Sequence, residues 1–582
     1  MNCSNLVQNA VSEVKTLVEN AFNKAMEQGK LPQGEIPAFV VEIPADTTHG
    51  DFATNAAMVS ARAFRQAPAK IAAALMECFD IDNAKWIAKA ETAGPGFINF
   101  TLKADWFTQA VQGILADGEN YGRSDYGKGE KVMVEFVSAN PTGPMHMGNA
   151  RGGAIGDGLA SALEWSGHTV EREFYINDAG NQIEKFGLSL EARYLQIFDE
   201  NHPMIEEGYQ GEDIKEHAKA FADIHGDSFV GKSHEERKQA LIDYALPLNI
   251  AALRRDLGKY KIEYDTWFHE SVLHEDGSVM KTVELLKERG LAYEKDGAVW
   301  YKNTEMMKRL AEKSGKPLTE KEEAELKDDV LVRANGFPTY FAADIAYHYN
   351  KFAVRGFNRV INVWGADHHG HVARIKGAMD AVGLDGDKLD IVLMQLVRLL
   401  RDGQPCKMSK RSGKAITLTD LLEEIPIDAA RFFFNMREPN STLDFDLDLA
   451  VEQTRQNPVY YVQYAHARIC SIEKNLAAEG ISPRSCTAEE LALLTAAEER
   501  ELIRRLAAFP NEIIQAAKSY DPARLTRYTT DVATLFHKFY DACRIKGDNE
   551  ALMQARLNLA LAARTTLKNA LTLLKISAPV SM

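Results

Sequence analysis

Two short segments hold residue types that could act together on a phosphate. Residues 139–149 read Ala-Asn-Pro-Thr-Gly-Pro-Met-His-Met-Gly-Asn, and residues 407–411 read Lys-Met-Ser-Lys-Arg. His146 can hydrogen-bond a phosphate oxygen as its charge grows, and Lys407 and Lys410 can offset the charge of a leaving pyrophosphate. Attack of a carboxylate on the α-phosphate of ATP needs such groups, because there the protein mainly positions and stabilises charge.

Each segment has a simpler explanation when it is taken alone. The first fits an ordinary tight turn between a strand and a helix, and the second fits a solvated cationic loop. Their presence together in this order, about 260 residues apart, favours the functional interpretation. The first segment follows a predicted buried strand at 131–137 and opens a predicted helix. Its free N–H groups and dipole would suit phosphate, and Gly148 would permit close approach of a nucleotide.

Three histidines and an aspartate follow another predicted strand, at 359–364. The segment 365–371 reads Gly-Ala-Asp-His-His-Gly-His. Zinc is one explanation, but the histidines are adjacent rather than spaced for one helix face, and no cysteine cluster accompanies them. Open α/β sheets bind ligands at the carboxyl ends of their strands, so a nucleotide-binding turn is the preferred prediction. No metal ligands are predicted in the chain itself.

A phenol and a carboxylate are spaced to share one face of a helix. The sequence around 337–349 predicts a helix that begins near Thr339, which places Tyr340 and Asp344 four residues apart. Such a pair suits a cationic planar group, by bidentate pairing and stacking. The simpler alternative is a tyrosine at a helix start beside an exposed aspartate.

The elements that must position these residues indicate an α/β fold in several domains. A small α+β domain is predicted over residues 1–118. A Rossmann-type parallel-sheet domain is predicted over 119–426, with a helical insertion around 183–260. Residues 427–582 have almost entirely helical periodicity and predict an all-α domain.

Composition limits the class of protein. The 582 residues are 45% hydrophobic and 26% charged, no apolar run approaches a membrane span, and no secretory signal is visible. A cytoplasmic protein without membrane association is expected. From residue 441 onward there are 17 Lys/Arg and 17 Asp/Glu, so residues 1–440 carry the whole net charge of −15. A neutral module on an acidic chain fits local nucleic-acid binding, although chance asymmetry explains it equally well.

Further segments of the sequence resemble a known protein family, and the resemblance extends over nearly the whole chain. They are Glu135–Pro144, Tyr-Ile-Asn-Asp-Ala-Gly-Asn-Gln at 175–182, Asp-Ala-Ala-Arg at 428–431 and Tyr-Val-Gln-Tyr-Ala-His-Ala-Arg at 461–468. With the two opening segments, they make the chain similar to the arginyl-tRNA synthetase family, of class I and bacterial type. The resemblance implies a ligase that activates L-arginine with ATP and transfers it to the 3′ end of tRNA(Arg). It also implies an N-terminal domain that binds the tRNA elbow, a helical anticodon-binding domain and a monomer.

The resemblance also implies roles for particular residues. ATP contacts would come from His146, Gly148, Asn149, Gly365, Asp367, Lys407 and Lys410. Among these, the catalytic residues would be His146, Asn149, Lys407 and Lys410. Arginine contacts would come from Glu135, Asn140, Glu270, Tyr340, Asp344 and His368. Contacts with tRNA would come from Asn99, Tyr461, Tyr464, Arg468, Tyr540 and Met582. Mg²⁺ would accompany ATP to offset phosphate charge. Asn149 departs from the family pattern, which usually has His there; Asn donates a hydrogen bond but carries no charge.

Two other functions remain open from the sequence. A different class I synthetase or a small-molecule nucleotidyltransferase could use the same phosphate loop, although the latter has no need of a large helical domain. A tRNA-binding paralogue without chemistry is the non-enzymatic alternative. It would have little need for His146, Lys407 and Lys410 together.

Overall fold

The computed structural model describes residues 6–44, 49–406 and 416–582. The predicted cationic loop, with Lys407 and Lys410, lies outside the described residues. Within the described ranges, no helix is both long enough and apolar enough to cross a bilayer.

An antiparallel sheet and several helices form the first part of the chain. In chain order the elements are α1 (Leu6–Glu27), β1 (Val41–Glu42), β2 (Phe52–Thr54), α2 (Ala56–Val59), α3 (Ala61–Phe64), α4 (Pro68–Met76), β3 (Ile87–Ala93), β4 (Phe97–Leu102) and α5 (Ala104–Asp117). The strands lie in the order β1-β2-β4-β3. Ile98, Phe100 and Leu102 alternate along β4 and are buried, the pattern of a strand with one face on a core. The predicted small α+β domain is confirmed.

A five-stranded parallel sheet forms the middle of the chain. Its first elements, including a helical insertion, are β5 (Lys131–Glu135), α6 (Gly148–Trp165), β6 (Thr169–Ile176), α7 (Asn181–Phe198), α8 (Glu212–His225) and α9 (His234–Lys259). The next are β7 (Thr266–His269), α10 (Glu270–Glu275), α11 (Ser278–Glu288), β8 (Ala292–Lys295), β9 (Ala298–Tyr301), α12 (Asn303–Ser314), α13 (Glu320–Glu325), β10 (Asp329–Val332), α14 (Tyr340–Tyr349), β11 (Arg359–Gly365), α15 (His369–Ala381) and β12 (Leu389–Met394). The parallel strands lie in the order β12-β11-β5-β6-β7. The strand order reverses between β5 and β11, so their carboxyl ends open the crevice in which such sheets bind ligands.

Glycines let α6 lie close against this sheet. A Cβ atom at Gly156 would lie 2.2 Å from the side chain of Phe136, and one at Gly153 would lie 2.7 Å from Ile262. The insertion α7–α9 instead packs around a core of its own, which includes Phe186. The helix that begins at the predicted phosphate loop is therefore fixed by contacts that leave no room for larger side chains.

The last part of the chain is helical apart from a small sheet. Its elements are β13 (Val397–Arg401), β14 (Gln404–Cys406), α16 (Leu418–Glu424), α17 (Ile427–Phe434), β15 (Leu443–Asp446), α18 (Leu447–Val451), α19 (Pro458–Ala478), α20 (Ala488–Leu491), α21 (Ala497–Ala507), α22 (Phe509–Ser519), α23 (Ala523–Ala542) and α24 (Glu550–Leu573). The helical C-terminal domain is confirmed, with one difference. Strand β15 pairs in parallel with β13. Leu443 and Phe445 are buried and alternate along the strand with polar residues, the pattern of a strand with one face on a core.

Candidate active site

The His146 segment is tied to the chain that directly follows residues 407–415. His146 pairs with Thr417 as an isolated β-bridge. The N–H of Met147 donates to the carbonyl of Ile416 at 2.9 Å. The His146 segment is therefore held against the chain at Ile416 and Thr417.

The first turn of α6 is closed by its own loop. The Gly148 N–H donates to Nδ1 of His146 at 3.0 Å, and the Asn149 N–H donates to the His146 carbonyl at 3.0 Å. The expectation that these N–H groups are free for phosphate is therefore wrong, because His146 caps them. Since Nδ1 accepts, the neutral ring carries its hydrogen on Nε2. The helix dipole and this Nε2–H are what the loop offers to a phosphate.

The segment after β11 leaves the sheet beside the segment after β5. Asn362 of β11 pairs with Glu135 of β5, so the chains that follow them run out side by side. Gly365 ends β11, and the side chains of Asp367 and His368 are exposed by 80% and 59%. The structure thus places these predicted contacts at the mouth of the crevice, open to a ligand.

Carboxylates gather around the phenol of Tyr175, at the end of β6. Burial raises the pKa of Tyr175, and the nearby charges of Glu270, Asp344 and Glu135 raise it further. Tyr175 was not singled out from the sequence. Its place at the carboxyl end of a predicted strand was the available signal, because such ends point at the ligand crevice.

Glu270 and Asp344 have no full cation beside them among the described residues. Glu270 Oε1 lies 3.3 Å from Nε2 of His274, and Asp344 Oδ2 lies 3.2 Å from Nε2 of His371. Burial raises the pKa of Glu270, and Asp344 adds to the rise, while Tyr175 and His274 oppose it. Neither carboxylate has a Lys or Arg partner within the described ranges. Glu270 is buried and the Asp344 side chain is 37% exposed. Because a buried carboxylate without a counter-charge is costly, this pocket suits a cationic ligand.

Glu135 differs from Glu270 and Asp344, because a lysine of the protein neutralises its charge. Its Oε2 lies 2.5 Å from Nζ of Lys351, and its Oε1 accepts a hydrogen bond from Ser138 Oγ at 2.9 Å. Lys351 is fully buried in a π-helical turn, Asn350–Val354, directly after α14. Such turns interrupt an α-helix and are frequent at functional sites. Sequence reasoning missed Lys351, since its partner lies 216 residues away.

The backbone between β5 and the phosphate loop is strained. Val137 has φ 70° and Ser138 has φ 41°, and the Ser138 N–H donates to the Phe136 carbonyl at 3.0 Å, which closes a γ-turn. Positive φ is rare for a β-branched residue and costs about 1–3 kcal/mol. The turn lets Ser138 Oγ reach Glu135 and accept from the Tyr175 N–H at 3.1 Å. It also directs Asn140 into solvent.

Helix α14 begins as the sequence predicted. Thr339 caps it by accepting from the Ala342 N–H, so Tyr340 and Asp344 lie on one face. The Tyr340 hydroxyl accepts from the Asn181 N–H at 3.0 Å, which holds the phenol over the start of α7. The predicted phenol and carboxylate are thus both at the pocket side of this helix.

Asp178 fixes the start of α10, which carries Glu270. It accepts hydrogen bonds from the Ser271 N–H at 2.8 Å and from Ser271 Oγ at 2.9 Å, and it pairs with His269 Nδ1 at 2.7 Å. The polar string at 175–182 therefore positions an acidic residue of the pocket.

Aromatic side chains form a second cluster, on α19 and α23. The ring of Tyr464 stacks on His537 with centroids 5.8 Å apart, and Tyr461 lies 5.2 Å from the same ring. Arg468 lies over the ring of Tyr540 at 4.2 Å and contacts His537 Nδ1 at 3.1 Å. Burial, helped by Arg468, lowers the pKa of His537 to about 4, so this ring is neutral at pH 7. His537 was missed because a lone histidine on a helix carries no spacing signal.

Two of the remaining predicted residues lie elsewhere. Met582 lines a cleft of about 490 Å³ together with Lys261, Asp428 and Tyr460. Asn99 lies on β4 of the first domain, partly exposed and apart from the aromatic cluster.

Comparison with known proteins matches every part of the chain. Residues 12–102 match the arginyl tRNA synthetase N terminal domain, residues 110–471 the catalytic domain of tRNA synthetases class I (R), and residues 462–582 the DALR anticodon binding domain. An arginine–tRNA ligase of Caldanaerobacter subterraneus subsp. tengcongensis is 55% identical over 578 residues, covering 99% of this chain and 100% of the relative. One of Ruminiclostridium cellulolyticum is 53% identical and covers 98% of both chains. The solved arginyl-tRNA synthetase of Thermus thermophilus superposes with a TM-score of 0.71 at 20% identity, covering 98% of this chain and 100% of that one.

Proposed function

Because the chain belongs to the arginyl-tRNA synthetase family, we propose that the pocket around Tyr175 binds the guanidinium of L-arginine and that the crevice beside it binds ATP. The enzyme activates L-arginine with ATP and charges tRNA(Arg). A carboxylate oxygen of arginine attacks the α-phosphorus of ATP, the bond to the β-phosphate oxygen breaks, and diphosphate leaves. A ribose hydroxyl of the terminal tRNA nucleotide then attacks the activated carbonyl, loses its proton and displaces AMP.

The absence of a lysine or arginine beside Glu270 and Asp344 within the described ranges carries the substrate assignment. A guanidinium supplies the missing charge and can donate to two carboxylates in a fixed, planar geometry. Tyr340 adds a phenol on the same side. Glu135, held by Lys351 and Ser138, faces the amino acid's backbone end in this proposal, with Asn140 and His368.

The phosphate side of the site is proposed from the crevice. His146 Nε2–H and the α6 dipole face the phosphates, Gly365 and Asp367 lie opposite, and Asn149 contacts ATP as a neutral donor. Gly148 accommodates the His146 ring, because a Cβ there would lie 3.1 Å from Nδ1. Lys407 and Lys410 are proposed to offset charge on the leaving diphosphate.

Mg²⁺ is proposed to arrive with ATP rather than to occupy a protein site. No grouping of three or more His, Cys, Asp or Glu that could hold a metal occurs in the described part of the chain. Mg²⁺ commonly keeps water and phosphate oxygens as ligands and takes few from protein. The carboxylate of Asp367 is exposed at the crevice.

Pyrophosphate exchange tests the assignment. Purified chain is incubated with ATP, labelled diphosphate and one amino acid at a time, with and without tRNA(Arg). We expect exchange with arginine and little with lysine or citrulline. Neither of these has a charged, planar group that can donate hydrogen bonds to both Glu270 and Asp344. Equal exchange with lysine would contradict the assignment of the pocket.

Arginine binding should weaken as pH falls. The guanidinium of arginine stays charged as pH falls, so arginine binding requires the ionised form of Glu270. Burial raises the pKa of Glu270. Affinity should therefore be full above that pKa and should fall by up to about tenfold per pH unit below it, the limit for one proton. Equilibrium dialysis of arginine at a series of pH values measures this. The imidazole of His274 contacts Glu270, and His274→Gln separates its contribution from that of Glu270.

The aromatic cluster is proposed to contact the tRNA anticodon region. Splayed single-stranded bases need aromatic faces for stacking and a few cations, rather than a strongly basic surface. Tyr461, Tyr464, Arg468 and Tyr540 supply both. Met582, at its separate cleft, is also proposed to contact tRNA, and Asn99 is proposed to contact the tRNA elbow.

Tyr464→Ala should weaken tRNA(Arg) binding by about 5- to 150-fold, because one stacked base is worth about 1–3 kcal/mol. Tyr464→Phe should retain most of the affinity. Filter binding with labelled tRNA measures both, and Tyr244→Ala in the insertion controls for loss of a packed tyrosine. Unchanged affinity in a folded Tyr464→Ala protein would remove this residue from the interface. We also propose that the protein is a monomer and acts in the cytoplasm.

A further inference from the structure

Arg151 is a fully buried cation held by backbone carbonyls. It lies in the first part of α6, three residues after Gly148. Its Nη1 donates to the carbonyl of Gln395 at 2.7 Å, and its Nη2 donates to those of Glu438 at 3.0 Å and Ser441 at 2.8 Å. None of the sequence motifs assigned Arg151 a role.

Its charge has no carboxylate partner within the described ranges. The other fully buried arginine, Arg431, contacts Asp157 at 2.5 Å. Burial lowers the pKa of Arg151 to about 10, so the guanidinium is still charged at pH 7. A buried cation that is satisfied by carbonyl dipoles alone is costly for stability, and such groups are often retained for function.

The carbonyl groups that hold Arg151 come from two segments: Gln395 lies at the root of the β13–β14 hairpin, and Glu438 and Ser441 lie in the loop before β15. Gln395 lies two residues before β13, and its N–H donates to the Pro439 carbonyl at 2.9 Å. Strand β14 ends at Cys406, directly before residues 407–415. Arg151 therefore fixes the amino-side approach to that segment.

The other flank of the same segment is held by the start of the same helix. The Met147 N–H bonds the Ile416 carbonyl at 2.9 Å, and the Leu418 N–H bonds the Met145 carbonyl at 2.9 Å. The chain before and after residues 407–415 is therefore held by contacts with α6 and with the loop that precedes this helix.

We propose that Arg151 is a positioning residue for adenylate formation, which rests on the proposed function. It holds the hairpin that leads to residues 407–415 in register with the His146 loop. Its Cα atom lies about 4.5 Å along the helix axis from that of Gly148, by the rise of 1.5 Å per residue, so the contacts of its side chain fix the first turn of α6. The carboxylates that would hold arginine lie on α10 and α14, in none of the contacts of Arg151.

Two variants separate positioning from folding. Arg151→Lys keeps the charge and loses the fork, and Arg151→Gln keeps a donor and loses the charge. We expect kcat for arginine-dependent pyrophosphate exchange to fall about 10²-fold in Arg151→Gln, the scale of misplacing a reacting group by about 1 Å, and less in Arg151→Lys, which can still donate to carbonyls. The dissociation constant of arginine, measured by equilibrium dialysis, should change less than about twofold, because the carboxylates that bind it are untouched.

Arg237→Gln is the matched control. This arginine is also largely buried and donates to the carbonyls of Phe229, Val230 and Lys232, but it lies in the helical insertion and has a carboxylate partner, Glu191. It should exchange at the wild-type rate. Wild-type kcat in both Arg151 variants would overturn the inference. So would a parallel loss of kcat, arginine affinity and thermal midpoint, which would mark a purely structural role. Lack of exchange by the unaltered chain would overturn the proposed function, and the inference with it.

Discussion

Replacing Asp344 by Asn should lower kcat/KM for arginine by about 10⁴-fold, the scale on which a site built for a polar group rejects a mismatch. Asp344 and Glu270 lie near one phenol, and within the described ranges the basic side chains in contact with them are imidazoles. The amide keeps the shape of the carboxylate but removes one charge of the pair that a guanidinium would bridge, and it turns an amide N–H toward the cation. The substitution should leave KM for ATP within about twofold, because ATP is proposed to lie across the sheet crevice rather than on α14.

Steady-state pyrophosphate exchange with arginine and ATP varied separately measures this effect. Asp243→Asn, on the exposed side of α9, is the control for loss of one negative charge. If Asp344→Asn keeps its preference for arginine over lysine and citrulline, Asp344 does not select the guanidinium.

Asp157→Asn should lower the free energy of unfolding by about 3–5 kcal/mol, the scale of breaking a buried ion pair. Asp157 lies on α6, fully buried, and three cations converge on it. Arg431 of α17 lies 2.5 Å away, Lys575 2.9 Å and Arg172 3.1 Å. An amide would leave the buried Arg431 guanidinium without its counter-charge. The first unfolding transition in urea, followed by circular dichroism, measures the loss.

The pH dependence should show the same ion cluster. Burial alone would raise the pKa of Asp157, but Arg431, Lys575 and Arg172 together hold it below its usual value. A carboxylate with a depressed pKa stabilises the fold above the unfolded value of about 3.9 and loses that contribution as pH falls through the folded value. The wild-type protein should therefore lose more stability than Asp157→Asn between about pH 4 and the folded pKa of this carboxyl.

Glu119→Gln provides the matched control, since it removes an ion pair with Lys568 at the surface, where the side chains are 84% and 50% exposed. Its cost should be much smaller than that of Asp157→Asn, because solvent and salt screen a surface ion pair. Similar losses of stability in both variants would show that the buried cluster contributes no more than a surface ion pair.

The contacts of Asp157 also mean that deletion of residues 441–582 would disturb the rest of the protein, because Lys575 and strand β15 belong to the junction with the parallel sheet. Point variants such as Tyr464→Ala are therefore the sharper test of tRNA contacts.

Local patterns in the sequence determined the main elements. The apolar run at 131–137 predicted a buried strand, the loop after it predicted the helix that is α6, and Thr339 marked the start of α14. These signals succeed because each depends on neighbours a few residues away. The two opening segments likewise indicated phosphate chemistry from residue types alone, and the family match supports that activity.

Only the tertiary structure decided which charges are satisfied. Lys351 neutralises Glu135 across 216 residues, and Arg151 reaches carbonyls more than 240 residues away, so neither pairing leaves a pattern in a short window. The strained turn at Val137 and the capping of the α6 first turn by His146 also depend on how the chain leaves the sheet. The sequence by itself determined the residues that could do the chemistry. The fold decided that Glu270 and Asp344, rather than Glu135, are the carboxylates left for a cation, because burial and distance fix charge balance and neither is encoded locally.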